Sequence, residues 1–392
     1  MSEPLVIGLV AGESSGDTLG AALLDALRAR AGRVEAFGIA GPKMRAAGCE
    51  VWADSHQLAV MGLIEPLAHL PRLFALRRRL VREMTRRRPQ VFVGIDAPAF
   101  NIGLEAQLRS RDILTVQYVS PQVWAWRQGR VRNVAAACDL VLCLFPFETQ
   151  FYSEHGVRAK FVGHPLADQI PLDTDRVLAR QALGLSPQGT VVALLPGSRQ
   201  GEVTRLGEDF LRAALWLHAQ RPDVVFIAPM ASARVREIFA AQRERVAPGL
   251  AVQLFEGQAQ QSLIAANGVL VASGTATLET LLTRRPMVVA YRFSALTAFL
   301  LRRFGLVKVS HFSQPNLLTG KSLVPEFLQE QVSGPALGRA LLDQLTDNAG
   351  KKVLQTEFLK VHRQLRVGAA DRAAQAILEL LNERRVDCAL PL

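Results

Sequence analysis

The sequence predicts an α/β fold: two Rossmann-like domains in tandem, each a parallel sheet flanked by helices. Three observations predict it. Short runs rich in Val, Ile and Leu alternate with longer helical patterns, the βα rhythm of a parallel sheet. Those runs lack period-two alternation, as strands covered on both faces do. The chain also echoes itself. LVIGLVAGESSGDTLGAALLDAL and VVALLPGSRQGEVTRLGEDFLRAAL both read strand, glycine-bearing loop, polar helix start, apolar helix.

In the first half, strands are expected at 5–10, 34–39, 91–95, 114–119, 140–144 and 160–162, with helices at 18–30, 71–88 and 102–109. In the second half, strands are expected at 190–195, 224–228, 251–255, 269–272 and 287–290. A chain of 392 residues suits two domains of roughly 150–200 residues each. The boundary is expected in 167–186, beside Pro171 and Pro187, so the domains read 1–170 and 187–350. A helical stretch at 353–385 fills the terminal segment, 351–392.

Composition narrows the function classes. Hydrophobic residues make up 49% and charged residues 21%, a globular balance that excludes a disordered chain. No stretch reaches the ~18 uncharged apolar residues of a membrane span. The start lacks a basic n-region and a cleavage site, so no signal peptide is expected. Cys49, Cys138, Cys143 and Cys388 form no C-x-x-C and predict reduced thiols. The histidines show no metal spacing. A net charge of +11 favours anionic partners: nucleic acid, lipid headgroups or phosphorylated substrates.

Candidate chemistry sits at the strand ends. AGESSGD places Gly12, Glu13, Ser14, Ser15 and Gly16 after the first strand, where open α/β sheets bind ligands. The same residues also suit a plain capped βα turn. VFVGIDAPAFN sets Asp96 just past a buried strand, as a general base or as a structural cap. In the second half, LPGSRQGEV opens a helix with Gly197 and Ser198, whose free N–H groups would attract phosphate, and Arg199 adds a fork suited to a diphosphate. VASGTATLET does the same with Ser273, Gly274, Thr275 and Thr277, and sets Glu279 to accept from ribose hydroxyls. Asp173-Thr174-Asp175 spells D-x-D, but in the linker helix capping is favoured over metal binding.

Eight arginines cluster between Arg72 and Arg88, after an apolar approach containing Leu63, Leu67, Leu70, Leu73 and Phe74. With Pro71 opening a helix, the segment reads as a basic amphipathic helix on a membrane surface. The competing reading packs the leucines into the core. No aromatic-plus-basic RNA module appears, so no nucleic-acid partner is expected.

Taken in order, AGESSGD, AGPKMRAAGCE, AVMGLIE, VFVGIDAP, YVSPQVWAWR, LVLCLFPFE, LPGSRQGEV, SGTATLET, PMVVAYR and QPNLLTGKSLVPEFLQE resemble the lipid A disaccharide synthases. The likeness spans nearly the whole chain, and WAWR with LPGSR and SGTATLE carries most of its specificity. It implies a GT-B fold with a cleft between two Rossmann-like domains and C-terminal helices crossing back to the first. It implies an inverting, metal-independent transfer without a cofactor. The sugar moves from UDP-2,3-diacylglucosamine to the 6-hydroxyl of 2,3-diacylglucosamine 1-phosphate. It further implies peripheral attachment to the cytoplasmic face of the inner membrane, and a homodimer. Asp96 matches the family's candidate base. Arg199, Glu279 and Asn316 match nucleotide-side positions, and Ser120 and Trp124 fall in the acceptor or donor loops. Ala99, Gln122 and Gln314 depart from the family pattern, and Ala99 excludes a paired-carboxylate mechanism. The rival readings are another GT-B transferase of UDP-N-acetylglucosamine type with a lipid-linked acceptor, a non-transferring UDP-sugar epimerase, and a non-enzymatic membrane-bound nucleotide sensor.

Overall fold

A computed structural model describes residues 3–55, 58, 66–123, 128–294 and 311–389. It divides the chain into two units, Met1–Asp168 with Leu365–Leu392, and Gln169–Gln364.

The first unit is built on a seven-stranded sheet among the described residues. Its strands are β1 (Leu5–Ala11), β2 (Val34–Ala40), β3 (Cys49–Asp54), β4 (Val91–Ile95), β5 (Leu114–Tyr118), β6 (Leu140–Cys143) and β7 (Ala159–Phe161). The order is β3-β2-β1-β4-β5-β6-β7, and every pairing is parallel. β4 reads VFVGI and is buried at each position, as a central strand covered on both faces requires. The second unit repeats the plan with β8 (Thr190–Leu195), β9 (Val224–Met230), β10 (Val252–Glu256), β11 (Gly268–Ala272), β12 (Met287–Tyr291) and β13 (Glu326–Leu328). Its order is β10-β9-β8-β11-β12-β13. In each sheet the strand order therefore reverses once, between β1 and β4 and between β8 and β11. That switch point is where doubly wound sheets open a crevice for ligands.

The sequence reading misses β3 and β13. Both are edge strands, half-exposed along most of their length, so neither carries a continuous apolar run. It also starts one helix late. The helix spans Pro66–Arg87 with Pro71 inside it, where the ring nitrogen gives up one helical hydrogen bond.

The return of the chain also comes later than 351. The helix Asn348–Leu365 lies in the second unit as far as Gln364, and the first unit resumes at Leu365 and takes in the helix Ala369–Ala389. Its Ala373, Ala376, Ile377 and Leu380 enter the same core as Leu23, Leu24 and Leu27 of the helix Ser14–Ala31. Each large apolar side chain buried there contributes about 1.5–3 kcal/mol. Arg30 clamps Asp371 with two hydrogen bonds of 2.7 and 2.6 Å, and Arg158 clamps Glu383 at 2.5 and 2.8 Å.

Candidate functional site

In the first unit the switch point brings two predicted loops into contact. Gly12 follows β1 and Asp96 follows β4. A Cβ on Gly12 would stand 2.3 Å from the Ala97 Cβ, so only glycine lets the loops approach this closely. Glu13, Ser14 and Ser15 are exposed around the first turn of the helix Ser14–Ala31, and Gly16 is buried. Asp17, not singled out from the sequence, is fixed in a structural task. Its carboxylate accepts from Gly41, Lys43 and Met44 N–H groups at 2.8–3.0 Å.

Asp96 and Ala97 both have left-handed backbones, φ +55° and +42°. Val119, at the end of neighbouring β5, has φ +76°, an outlier for a β-branched residue. Such conformations cost about 1–3 kcal/mol each and cluster at functional sites. The Asp96 carbonyl is held by Asn101 Nδ2 at 2.9 Å and Gln117 Nε2 at 3.2 Å. Burial pushes the Asp96 carboxyl above its ordinary value, and a hydrogen bond from the Ala97 backbone pulls part of the way back. A half-buried carboxylate of raised pKa suits a proton acceptor.

Two first-unit expectations change. Ser120 is buried, and its hydroxyl lies 3.2 Å from the Tyr152 hydroxyl, a bond that braces the loop. Leu73 packs partly against the core formed by Leu80, Val81 and Met84, which removes it from the lipid-facing set. Phe74 is 53% exposed. Leu63 and Trp124, and the side chains of Leu67 and Leu70, lie outside the described residues. The arginines divide as well. Arg72, Arg78 and Arg79 are exposed. Arg77 donates to the carbonyls of Ala99 and Phe100 at 3.4 and 3.1 Å and sits over the Phe100 ring at 5.1 Å.

In the second unit a cavity of about 280 Å³ opens at the β8–β11 switch point. Gly197, Ser198, Arg199, Gly274, Thr275 and Glu279 line it together. Gly197 has φ +135°, and a Cβ there would stand 2.4 Å from the Glu202 Cβ. Burial raises the Glu279 carboxyl above its ordinary value. Glu202, Met230 and Gly257 also line the cavity, and sequence reasoning missed them. Glu202 corrects one expectation. Its Oε2 accepts from the Ser198 and Arg199 N–H groups at 3.0 and 3.2 Å, so these amides are already occupied by a carboxylate. A Glu three residues after a helix cap signals this capping box and could have found it.

Three further predicted residues support the cavity wall from behind. Ser273 Oγ donates to Phe312 O at 3.2 Å, and buried Thr277 Oγ1 donates to Gly274 O at 2.8 Å. Asn316 is buried, donating to Val324 O and accepting from Leu323 and Val324 N–H groups at 2.9–3.0 Å. These bonds engage its amide on both sides, so it shapes the 323–324 loop. In the D-x-D tripeptide, Asp175 caps the helix Arg176–Ala182, and Asp173 pairs with Arg284 at 3.2 Å. A larger cavity, about 410 Å³, lies near Arg88, Arg111 and Arg384, at the opposite edge of the first sheet from Asp96.

Comparison with known proteins places this geometry. Among solved structures, the chain resembles a UDP-GlcNAc 2-epimerase from Neisseria meningitidis bound to UDP-GlcNAc. The TM-score is 0.62 at 11% identity, covering 96% of this chain and 99% of that one. It also resembles the calicheamicin glycosyltransferase, with TM-score 0.59 at 15% identity, covering 97% and 99%. At such identities the likeness speaks to the fold alone, and the fold is GT-B. Sequence relatives are much nearer. The lipid-A-disaccharide synthase of Pseudomonas paraeruginosa is 50% identical over 388 residues, 98% of this chain and all of that one. That of Pectobacterium carotovorum is 47% identical over 383 residues, with 98% and 100% covered. The profile described as lipid-A-disaccharide synthetase matches residues 7–378. With both switch-point loops inside that match, the chain belongs to the lipid-A-disaccharide synthetase family.

Proposed function

We infer that this chain joins two acylated glucosamines. It moves 2,3-diacylglucosamine from its UDP derivative to the 6-hydroxyl of 2,3-diacylglucosamine 1-phosphate, giving the β-1,6-linked disaccharide 1-phosphate and UDP. The observation that carries the reading is kinship over nearly the full length, at up to 50% identity, with lipid-A-disaccharide synthases. The site chemistry supports it.

The transfer is a single displacement with inversion. The acceptor O6 attacks the anomeric carbon while that carbon's bond to the UDP oxygen breaks, and the bonding pair leaves on the β-phosphate. The hydroxyl proton passes to Asp96, whose raised pKa matches the task. Arg199 and the helix N-terminus at Thr275 meet the charge growing on UDP. Glu279 accepts from the ribose hydroxyls. The loop of Gly12 to Gly16 lines the acceptor side. Both substrates keep their acyl chains in a bilayer, so the first unit works against the cytoplasmic face of the inner membrane. Exposed Phe74 and the arginines Arg72, Arg78 and Arg79 on its helix support that placement.

The test is direct. Purified protein given both acylated substrates and no added metal should release UDP and disaccharide in equal amounts. UDP release that ignores the acceptor would sink this reading.

A further inference from the structure

The loop carrying Asp96 hangs from two side-chain amides, those of Asn101 and Gln117. Both residues are fully buried. Their remaining ends, Asn101 Oδ1 and Gln117 Oε1, have no hydrogen-bond partner among the described residues. Glu105 follows Asn101 by one turn on the helix Pro98–Arg109, on the same face, and is fully buried too. Cys138 Sγ donates to its Oε2 at 3.2 Å, while Oε1 has no partner among the described residues. Gly94 makes room for Glu105 and Asn101. It stands opposite Gln117 in the β4–β5 register, and a Cβ on it would lie 2.3 Å from Glu105 Oε1 and 2.9 Å from Asn101 Cβ.

Glu105 Oε1 and the Asn101 side chain therefore crowd Gly94, and with Gln117 Oε1 on the neighbouring strand they make three buried acceptors that have no donor among the described residues, which is unfavourable as it stands. One proton repairs it. Amide oxygens do not take a proton near neutral pH; a carboxylate does.

We propose that Glu105 is held as the neutral acid and donates its proton to the side-chain oxygen of Asn101 or Gln117, as a positioning residue for Asp96. That bond fixes which end of the amide faces the Asp96 carbonyl, and so holds the left-handed peptide that aims the carboxylate. The proposal rests on the reading of Asp96 as the base. Burial agrees with it, pushing the Glu105 carboxyl up to about 8 against a smaller opposing effect of Cys138. The surrounding groups leave that proton in place. Arg109, on the same helix, is paired with Asp139 at 2.9 Å. Arg77, on the adjoining helix, is bound to the Ala99 and Phe100 carbonyls. Burial raises Cys138, Cys143 and Tyr152, which stay neutral, and it raises Asp96 itself.

The experiment compares Glu105→Gln, which keeps a donor, with Glu105→Met, which removes it. Glu105→Gln should hold kcat within about threefold, and Glu105→Met should lower it at least about tenfold with KM for the UDP-sugar nearly unchanged. Wild-type kcat should fall along an alkaline limb near pH 8 as Glu105 ionises, and Glu105→Gln should lack that limb. Should Glu105→Met not fold, the limb comparison alone decides. A Glu105→Gln variant as slow as Glu105→Met, or a limb unchanged by the substitution, overturns the proposal. Asp96→Asn run alongside separates the two readings. If that variant turns over normally, Asp96 is not the base, and the positioning role falls with it. Whether Glu105 is neutral is then read from melting temperature. A raised carboxyl lends stability at low pH that is lost as pH rises through about 8, so wild type should lose stability relative to Glu105→Gln between pH 5 and pH 8. Parallel melting curves would show an ionised Glu105 and overturn its neutrality.

Discussion

Asp96 is the proposed base, and its substitution is the most informative. Asp96→Asn should fold, bind UDP normally and lose about 10²–10⁴-fold in turnover, the usual contribution of a positioned base. Because burial raises this carboxyl, kcat/KM should fall with decreasing pH through a value above the ordinary carboxylate range. An acid limb at the ordinary value would remove Asp96 from the role. Arg199→Ala should weaken UDP binding about 10–100-fold by calorimetry, the range of a charged hydrogen-bonding group, and leave acceptor binding alone. The placement of Gly197, Arg199 and Glu279 around one cavity was legible in the sequence, because a glycine-bearing loop after a buried strand can lie only at the sheet's ligand edge. The hydroxyl and amide residues were not. Ser120, Ser273, Thr277 and Asn316 have side chains that serve equally to bind a ligand or to brace a backbone, and here they brace. No spacing rule separates those fates, because both occur at the same strand ends.

Among the elements, the helix Pro66–Arg87 turns one side to the core and another outward. Leu80→Ala should cost about 2–5 kcal/mol in unfolding free energy, as a buried leucine does. Phe74→Ser should leave the melting temperature almost unchanged and reduce binding to anionic vesicles. A melting temperature that drops with Phe74→Ser would show the ring to be structural. Strand positions were recoverable only as far as hydrophobicity reports them. Central strands such as β4 and β11 are buried at every position and announce themselves. Edge strands such as β3 need only half a face, so Glu50 and Asp54 break the signal. The D-x-D tripeptide was legible for the opposite reason. Asp175 directly precedes a helical pattern, and in the structure it caps that helix. With Asp173 and Asp175 committed to an ion pair and a cap, turnover should be unchanged in excess chelator; activity lost to chelator and restored by manganese would contradict this.

At the scale of the whole molecule, the chain does not finish its units in the order it begins them. Met1–Asp168 holds the first sheet, yet the helix that completes its core comes from the far end of the sequence. A chain ending at Gln364 should keep the second sheet intact and bind UDP, while the first unit exposes Leu23, Leu24 and Leu27, takes up a hydrophobic dye and aggregates. On a ribosome the same fact becomes a matter of timing. The missing helix emerges roughly 200 residues after the first sheet, a delay of about 10–40 s at ordinary synthesis rates. For that interval the nascent first unit displays an uncovered apolar groove, while the second unit is made and closes ahead of it. The nascent chain thus offers a folding chaperone a target with a fixed lifetime, set by codon speed between the two units instead of by the stability of either.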